Sequence, residues 1–306
     1  MRGKRNLHSN CVLHEVTIVD TAVRSNEVHA LASKQWRLGE ILVANGSLKE
    51  TDIPRVLSAQ RQHDERFGES AMGLKLITPE QLRAALAQQF RYPLACDDTA
   101  LAPALVAAHD PDCSYAEGLR TLRSELLMRW FGEHGSTLAV IAAREADGSS
   151  LLSANLAITF AQLGERTLVI DLNLRKPSQH LLFGAQAHPG VADLLGGREL
   201  LRDISMPQPF PNLFVLAAGV PAPNPQELLS GVQLTRLLTE LSSTFDAVIL
   251  DTPPLLEFAD AQLIAARAGA SLLVAHRHST RVRDIQRMKT QLRTSGSTLI
   301  GAVLRD

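Results

Sequence analysis

The residues best placed for chemistry lie in one turn, Ala143-Arg144-Glu145-Ala146-Asp147-Gly148-Ser149-Ser150. An uncharged apolar run, Leu138 to Ile141, precedes it, and a helix-forming stretch from Leu151 to Leu163 follows and stops at Gly164. A second apolar run, Leu168-Val169-Ile170, ends on Asp171. Strand, turn, helix and strand occupy about 35 residues, the length of a βαβ unit. Backbone N–H groups at the start of such a helix attract anions. Against the phosphate-loop pattern G-x-x-x-x-G-K-[ST], Gly148 and Ser150 fall in place, Ala143 replaces the first glycine, and Ser149 stands at the lysine. The turn has the architecture of a phosphate loop without its cation.

The elements that must position this loop read as a doubly wound parallel α/β sheet. Leu213 to Leu216, Val248 to Leu250, Leu272 to Val274 and Leu299 to Leu304 have the continuous apolar character of strands buried on both faces. Helical stretches such as Val232 to Leu241 and Val282 to Leu292 separate them. His276, Arg277, His278 and Arg281 follow one strand end, either as a solvated loop or as contacts to a ligand at that edge.

Composition bounds the rest. With 306 residues, two domains are expected. A net charge of −1 gives no pull on nucleic acid, and 4% aromatic residues make stacking on single strands an unsuitable function, so no nucleic-acid partner is expected. The three cysteines, Cys11, Cys96 and Cys113, suit free thiols in a reducing cytoplasm and lack metal-ligand spacing. No uncharged apolar run approaches the ~20 residues of a membrane-spanning helix. The basic start, Met1 to Arg5, has no apolar signal core behind it. A cytoplasmic protein, peripheral at a membrane only through a partner, is expected. Residues 1–35 read as a weakly ordered tail with a short strand near Val16 to Val23. Residues 36–92 read as a helical tandem-repeat domain, 93–113 as a linker broken by Pro93, Pro103 and Pro111, and 114–306 as the α/β domain.

The repeat is explicit. Arg37-Leu38-Gly39 is followed by Leu42, Gly46, Leu48, Ile53, Leu57 and Gln60; 29 residues on, Arg66-Phe67-Gly68 is followed by Ala71, Lys75, Ile77, Leu82, Leu86 and Gln89. Thr78-Pro79-Glu80-Gln81 carries the marks of a helix start. The pattern resembles the N-terminal domain of type II secretion and pilus assembly ATPases, in which the tandem motif forms a cyclic di-GMP site. The resemblance implies Arg37, Gly39, Gly46, Gln60, Arg66, Gly68 and Gln89 as contacts; the second copy departs at Ala71 and at Lys75, where the family has an aliphatic residue and glycine. A purely structural or docking domain is the other reading of the same residues.

In the α/β half, Glu117, Arg120 and Arg123 share one face of a helix from Tyr115 to Arg129, which by itself describes a solvated face. After it come the turn at Ala143 to Ser150, the segment Val169 to Pro177, Gly219 to Leu229 with Asn224-Pro225, and Phe245 to Pro254 with Asp251-Thr252-Pro253-Pro254. In this joint order the chain resembles the bacterial tyrosine autokinases of capsule and exopolysaccharide synthesis, whose domain is of the MinD and ParA type. The resemblance covers about residues 114–305. It implies ATP and Mg²⁺ as ligands, with Asp251, Asp171 and the Ser150 hydroxyl on the metal. Asp171 and Asn173 would fill the family's D-x-D, with Asp251, as the catalytic set. Arg144, Asp147, Gly148, Ser149, Ser150 and Arg175 would face the nucleotide. Glu117, Arg120 and Arg123 would form a contact between copies in a homo-oligomer. The implied partner is the cytoplasmic segment of a membrane chain-length determinant protein.

Three departures shape the functional expectation. Ser149 is neutral and too short to reach a terminal phosphate. Ala146 replaces a glycine, and Asn173 cannot act as a base. The only tyrosines are Tyr92 and Tyr115, so the sequence holds no C-terminal tyrosine cluster to accept phosphate. The leading expectation is a family member with weak or lost kinase activity that acts as an oligomeric regulator. The alternatives are a non-catalytic, cyclic di-GMP-responsive regulatory protein and an ordinary ATPase of the ParA or MinD type.

Overall fold

The computed structural model describes residues 13–17, 38–63, 65–79, 81, 82, 85, 100–197, 205–207 and 209–306. The chain divides into two compact units, one spanning Asn26–Leu94, the other Met1–Ser25 with Ala95–Asp306.

Among the described residues of the larger unit, seven strands form one sheet: β1 (Leu13–Thr17), β2 (Thr137–Ala142), β3 (Thr167–Asp171), β4 (Leu213–Leu216), β5 (Ala247–Asp251), β6 (Ala270–His276) and β7 (Thr298–Arg305). Their order is β1-β7-β6-β2-β5-β3-β4. All neighbours run parallel except β1, which pairs antiparallel with β7 at the edge. Residues alternate across β2 into two cores. Leu138, Val140 and Ala142 pack with the helices Ser114–Arg129 and Ser149–Leu163; Ala139 and Ile141 pack with Val232–Ser242, Asp260–Ala268 and Val282–Thr294. Helices on both faces make this the doubly wound α/β fold expected from the apolar runs. The helix Ser149–Leu163 lies between the sheet and Ser114–Arg129, is apolar nearly all round, and ends at Gly164 with φ +106°.

In residues 1–35 the described strand is Leu13–Thr17, paired with β7; it overlaps the expected Val16 to Val23 at Val16 and Thr17, and residues 18–23 lie outside the described residues. One boundary differs from the sequence reading. Residues 100–113, read as linker, are packed onto the α/β unit. Leu101, Leu105, Ala107 and Ala108 are buried in its core, and the Ala102 N–H donates to the Leu182 carbonyl. Buried Asn155 fixes the segment, accepting from the Ala107 N–H (2.9 Å) and donating to the Ala104 carbonyl (3.3 Å). Pro103 and Pro111 lie in turns on either side of the short helix Val106–His109. Residues 93–99 of the expected linker lie outside the described residues.

The smaller unit shows the repeat in its backbone. The helix Leu38–Ala44 closes with Asn45 N–H to Ile41 O, Gly46 N–H to Val43 O and Ser47 N–H to Leu42 O. Phe67–Gly73 closes with Leu74 N–H to Ser70 O, Lys75 N–H to Met72 O and Leu76 N–H to Ala71 O. Every donor and acceptor is displaced by the same 29 residues. Gly46 has φ +70° and Lys75 φ +56°, so the lysine keeps the left-handed cap its glycine counterpart uses. Leu42 and Ala71, Leu48 and Ile77, and Val56 and Ala85 are buried at equivalent places. Thr78 and Gln81 exchange the two hydrogen bonds of a capping box.

Candidate functional site

The site sits at the carboxyl ends of β2, β3 and β5, where an open parallel sheet places ligands. β2 runs into a single 3-10 turn, Glu145–Asp147, and Gly148 (φ +78°) then turns the chain into the helix Ser149–Leu163. The Leu152 N–H is the first to bond back, to the Gly148 carbonyl, so the N–H groups of Ser149, Ser150 and Leu151 form the open helix start. The loop is braced from inside by Asp147, fully buried, whose carboxylate accepts from the Arg144 N–H (3.0 Å) and the Thr280 hydroxyl (2.9 Å). Asp147, expected to face the nucleotide, thus spends both oxygens on the chain itself. Arg144 extends to Asp284 (3.3 Å), and Glu145 pairs with Lys176. Ser149 is almost wholly buried.

Opposite the loop, Asp171 and Asp251 occupy equivalent register positions on the neighbouring strands β3 and β5. Asp171 accepts three backbone N–H groups, from Asn173 (3.1 Å), Ser178 (2.8 Å) and Gln179 (2.9 Å). It therefore shapes the loop that follows β3. Asn173 does the same on a smaller scale, its side-chain oxygen accepting from the Lys176 N–H (3.1 Å). Asp251 accepts from the Gln179 side-chain amide at Oδ2 (2.7 Å), while its Oδ1 is buried without a hydrogen-bond partner. Burial raises the Asp251 carboxyl first, and the Asp171 charge raises it further, to about 8. Burial also raises Asp171, against the three N–H donors that favour its charge. A buried pair of carboxylates held above its ordinary range, with one oxygen orphaned beside the Ser150 turn, suits a divalent cation. Asp251 and the Ser150 hydroxyl, which helps hold the carboxylate charged, are the residues that fit one.

The remaining expected residues disperse. Arg175 makes two hydrogen bonds to buried Asp260 (2.7 and 3.3 Å) and stacks on Phe258, 4.4 Å from its ring centroid. Arg120 bonds to Glu117 and to the Pro111 carbonyl (2.8 Å), and Arg123 donates to the Thr159 carbonyl (2.8 Å). Of the three, Glu117 presents its side chain most fully to solvent, at 67% exposure. In the repeat unit, Gly39 faces the Phe67 ring and Gly68 the Leu82 side chain, close enough that a Cβ would crowd each. Gln60 is half-buried and Arg66 exposed; Arg37 and Gln89 lie outside the described residues. Sequence reading missed Gln179, Thr280 and Arg305. Gln179 reaches Asp171 with its N–H and both Asp251 and the Ser150 carbonyl (3.0 Å) with its amide. Arg305 donates to the carbonyls of Asp147 (3.3 Å) and Gly148 (2.9 Å). No pattern marks them; only the proximity of strand ends brings them in.

No protein-family model matches the chain. It is 32% identical over 197 residues to the putative tyrosine-protein kinase CapB of Staphylococcus aureus, covering 64% of this chain and 86% of that protein. It is 32% identical over 200 residues to the tyrosine-protein kinase YwqD of Bacillus subtilis, covering 65% and 84%. Of the longer tyrosine-protein kinase ptk of Acinetobacter johnsonii it spans 28%. Among solved structures, the kinase domain of Escherichia coli tyrosine kinase ETK superposes with a TM-score of 0.64 at 30% identity, over 68% of this chain and 82% of that one. The chimerical protein CapA2B2 gives 0.63 at 27%, over 72% and 97%. With the P-loop-like turn, the paired strand-end carboxylates and this likeness along most of CapB and YwqD, the chain belongs to the bacterial tyrosine-protein kinase family.

Proposed function

We propose that this protein binds ATP·Mg²⁺ at the carboxyl edge of its sheet and serves bacterial exopolysaccharide synthesis or export as an oligomeric regulator, its kinase activity weak or lost. The observation that carries the reading is the division of the site into a kept half and an altered half. Asp251 and Ser150 can hold the metal, and the N–H groups from Ser149 onward can hold phosphate. Position 149 carries a hydroxyl where a lysine would follow the terminal phosphate. Loss of such a stabiliser of developing charge costs roughly 10²–10³ in rate. Mg²⁺ would supply charge neutralisation on the phosphates; the chain's own residues bind and orient.

Among the described residues the one tyrosine, Tyr115, is 2% exposed and so a poor phosphate acceptor. The segment of a membrane chain-length determinant protein is the partner proposed, and Glu117 with its exposed carboxylate the first contact between copies. No described helix is long and apolar enough to cross a membrane. Calorimetry with ATP·Mg²⁺, paired with a phosphotyrosine assay on protein purified free of other kinases, tests the reading. Binding with little phosphotyrosine is expected; absence of binding, or rapid autophosphorylation, contradicts it.

A further inference from the structure

The loop lacks a lysine, yet a cation lies against it. Arg305, at the end of β7 and level with His276 on β6, is only 8% exposed. Its guanidinium spans from the sheet to the loop and donates to the carbonyls of Asp147 and Gly148. The seat exists because residue 148 is glycine: a Cβ there would coincide with the Arg305 Nη1, independently of the positive φ. The Gly148 carbonyl belongs to the same peptide group as the Ser149 N–H, the first donor of the open helix start. A charged donor on the oxygen of a peptide polarises its N–H, and bonds in such a chain strengthen one another.

We propose that Arg305 is the cation of this phosphate loop, acting on bound phosphate through the Gly148–Ser149 peptide in place of a lysine at position 149. The idea rests on the nucleotide-binding reading above. Arg305 is a positioning residue, since it touches the loop and not the ligand. Held on the carbonyl side, it supports binding but cannot follow a phosphoryl group during transfer. That accords with a protein that retains nucleotide while losing kinase activity.

The test is a double-mutant cycle on ATP·Mg²⁺ affinity in the full chain, with melting temperature recorded for each variant. Arg305→Gln keeps a donor for the two carbonyls and removes the charge. It is expected to weaken binding about tenfold, the loss of one charged hydrogen bond's contribution, while Arg305→Lys stays within about threefold of wild type. Ser149→Lys is expected to tighten binding more in the Arg305→Gln background than in wild type, because the two cations do the same work. Unchanged affinity in Arg305→Gln, or strictly additive effects, overturns the proposal. Should Arg305→Gln not fold, Arg305→Lys decides alone, and a loss of about tenfold or more there overturns it. Binding by Ser149→Lys but not by wild type overturns the role of Arg305 and leaves the nucleotide site standing. Binding by neither refutes the nucleotide reading, and this inference with it.

Discussion

The two sides of the site differ in how far they match the phosphate-loop pattern. On the β3–β5 side, Asp171 and Asp251 hold matched register, and a loop of backbone N–H groups and Gln179 fixes both. On the β2 side the turn has its glycine, its helix and its inner brace, but position 149, where the phosphate-loop pattern has a lysine, holds a buried hydroxyl. The carboxylates are embedded in the sheet and support one another's surroundings, so altering one disturbs strands, loop and helix together. Ser149 lies in the first turn of its helix and, among the described residues, has no side-chain tie to the carboxylate side, so its side chain is separable from that arrangement.

Asp251→Ala removes the carboxylate expected to hold Mg²⁺ and should lower ATP·Mg²⁺ affinity by a factor on the order of 10², with ATP in EDTA much less affected. Equal loss with and without metal would place Asp251 outside metal binding. Ser149→Lys should tighten ATP·Mg²⁺ about threefold in wild type and about tenfold or more where Arg305 has lost its charge; no gain in either background would mean that the altered half is not the weak half.

A pH series on metal-free protein sharpens the picture of the carboxylate side. Both carboxyls sit above their unfolded values, so the fold holds protons that the unfolded chain has released. Their stabilisation is fully present below about pH 4 and is lost as pH rises through the folded values, toward about 8 for Asp251. The melting temperature should fall from pH 6 to pH 9, and Asp251→Asn should flatten the slope. A rising melting temperature across that window would contradict the burial of Asp251 beside Asp171 without a compensating cation. The smallest expected effect lies in the repeat unit. Lys75→Gly should stabilise by roughly 1 kcal/mol, because lysine there adopts a left-handed backbone that glycine takes without strain. Destabilisation in a denaturant melt would show that the Lys75 side chain contributes more than its backbone costs.

The parallel sheet was legible because buried strands read as unbroken apolar runs, and each expected strand of the α/β half appears within a residue or two. The loop and its missing lysine were legible because spacing alone defines them. The burial of residues 100–113 was not, since it depends on Asn155, some 50 residues away in the chain, offering one side chain to two backbone groups. Gln179 and Arg305 were hidden for the same reason. Each is an ordinary polar residue until β3, β5 and β7 bring it to the loop. Arg123 was misleading in the other direction: its helical spacing suggested an outward charge, while its length lets it fold back onto the Thr159 carbonyl.

The most direct test of the central claim is phosphate release by wild type and Ser149→Lys, measured side by side under saturating ATP·Mg²⁺. The account predicts a wild type that binds ATP but releases phosphate at least about tenfold more slowly than the lysine variant. A wild type that turns over as fast as Ser149→Lys, or accumulates phosphotyrosine unaided, would contradict it.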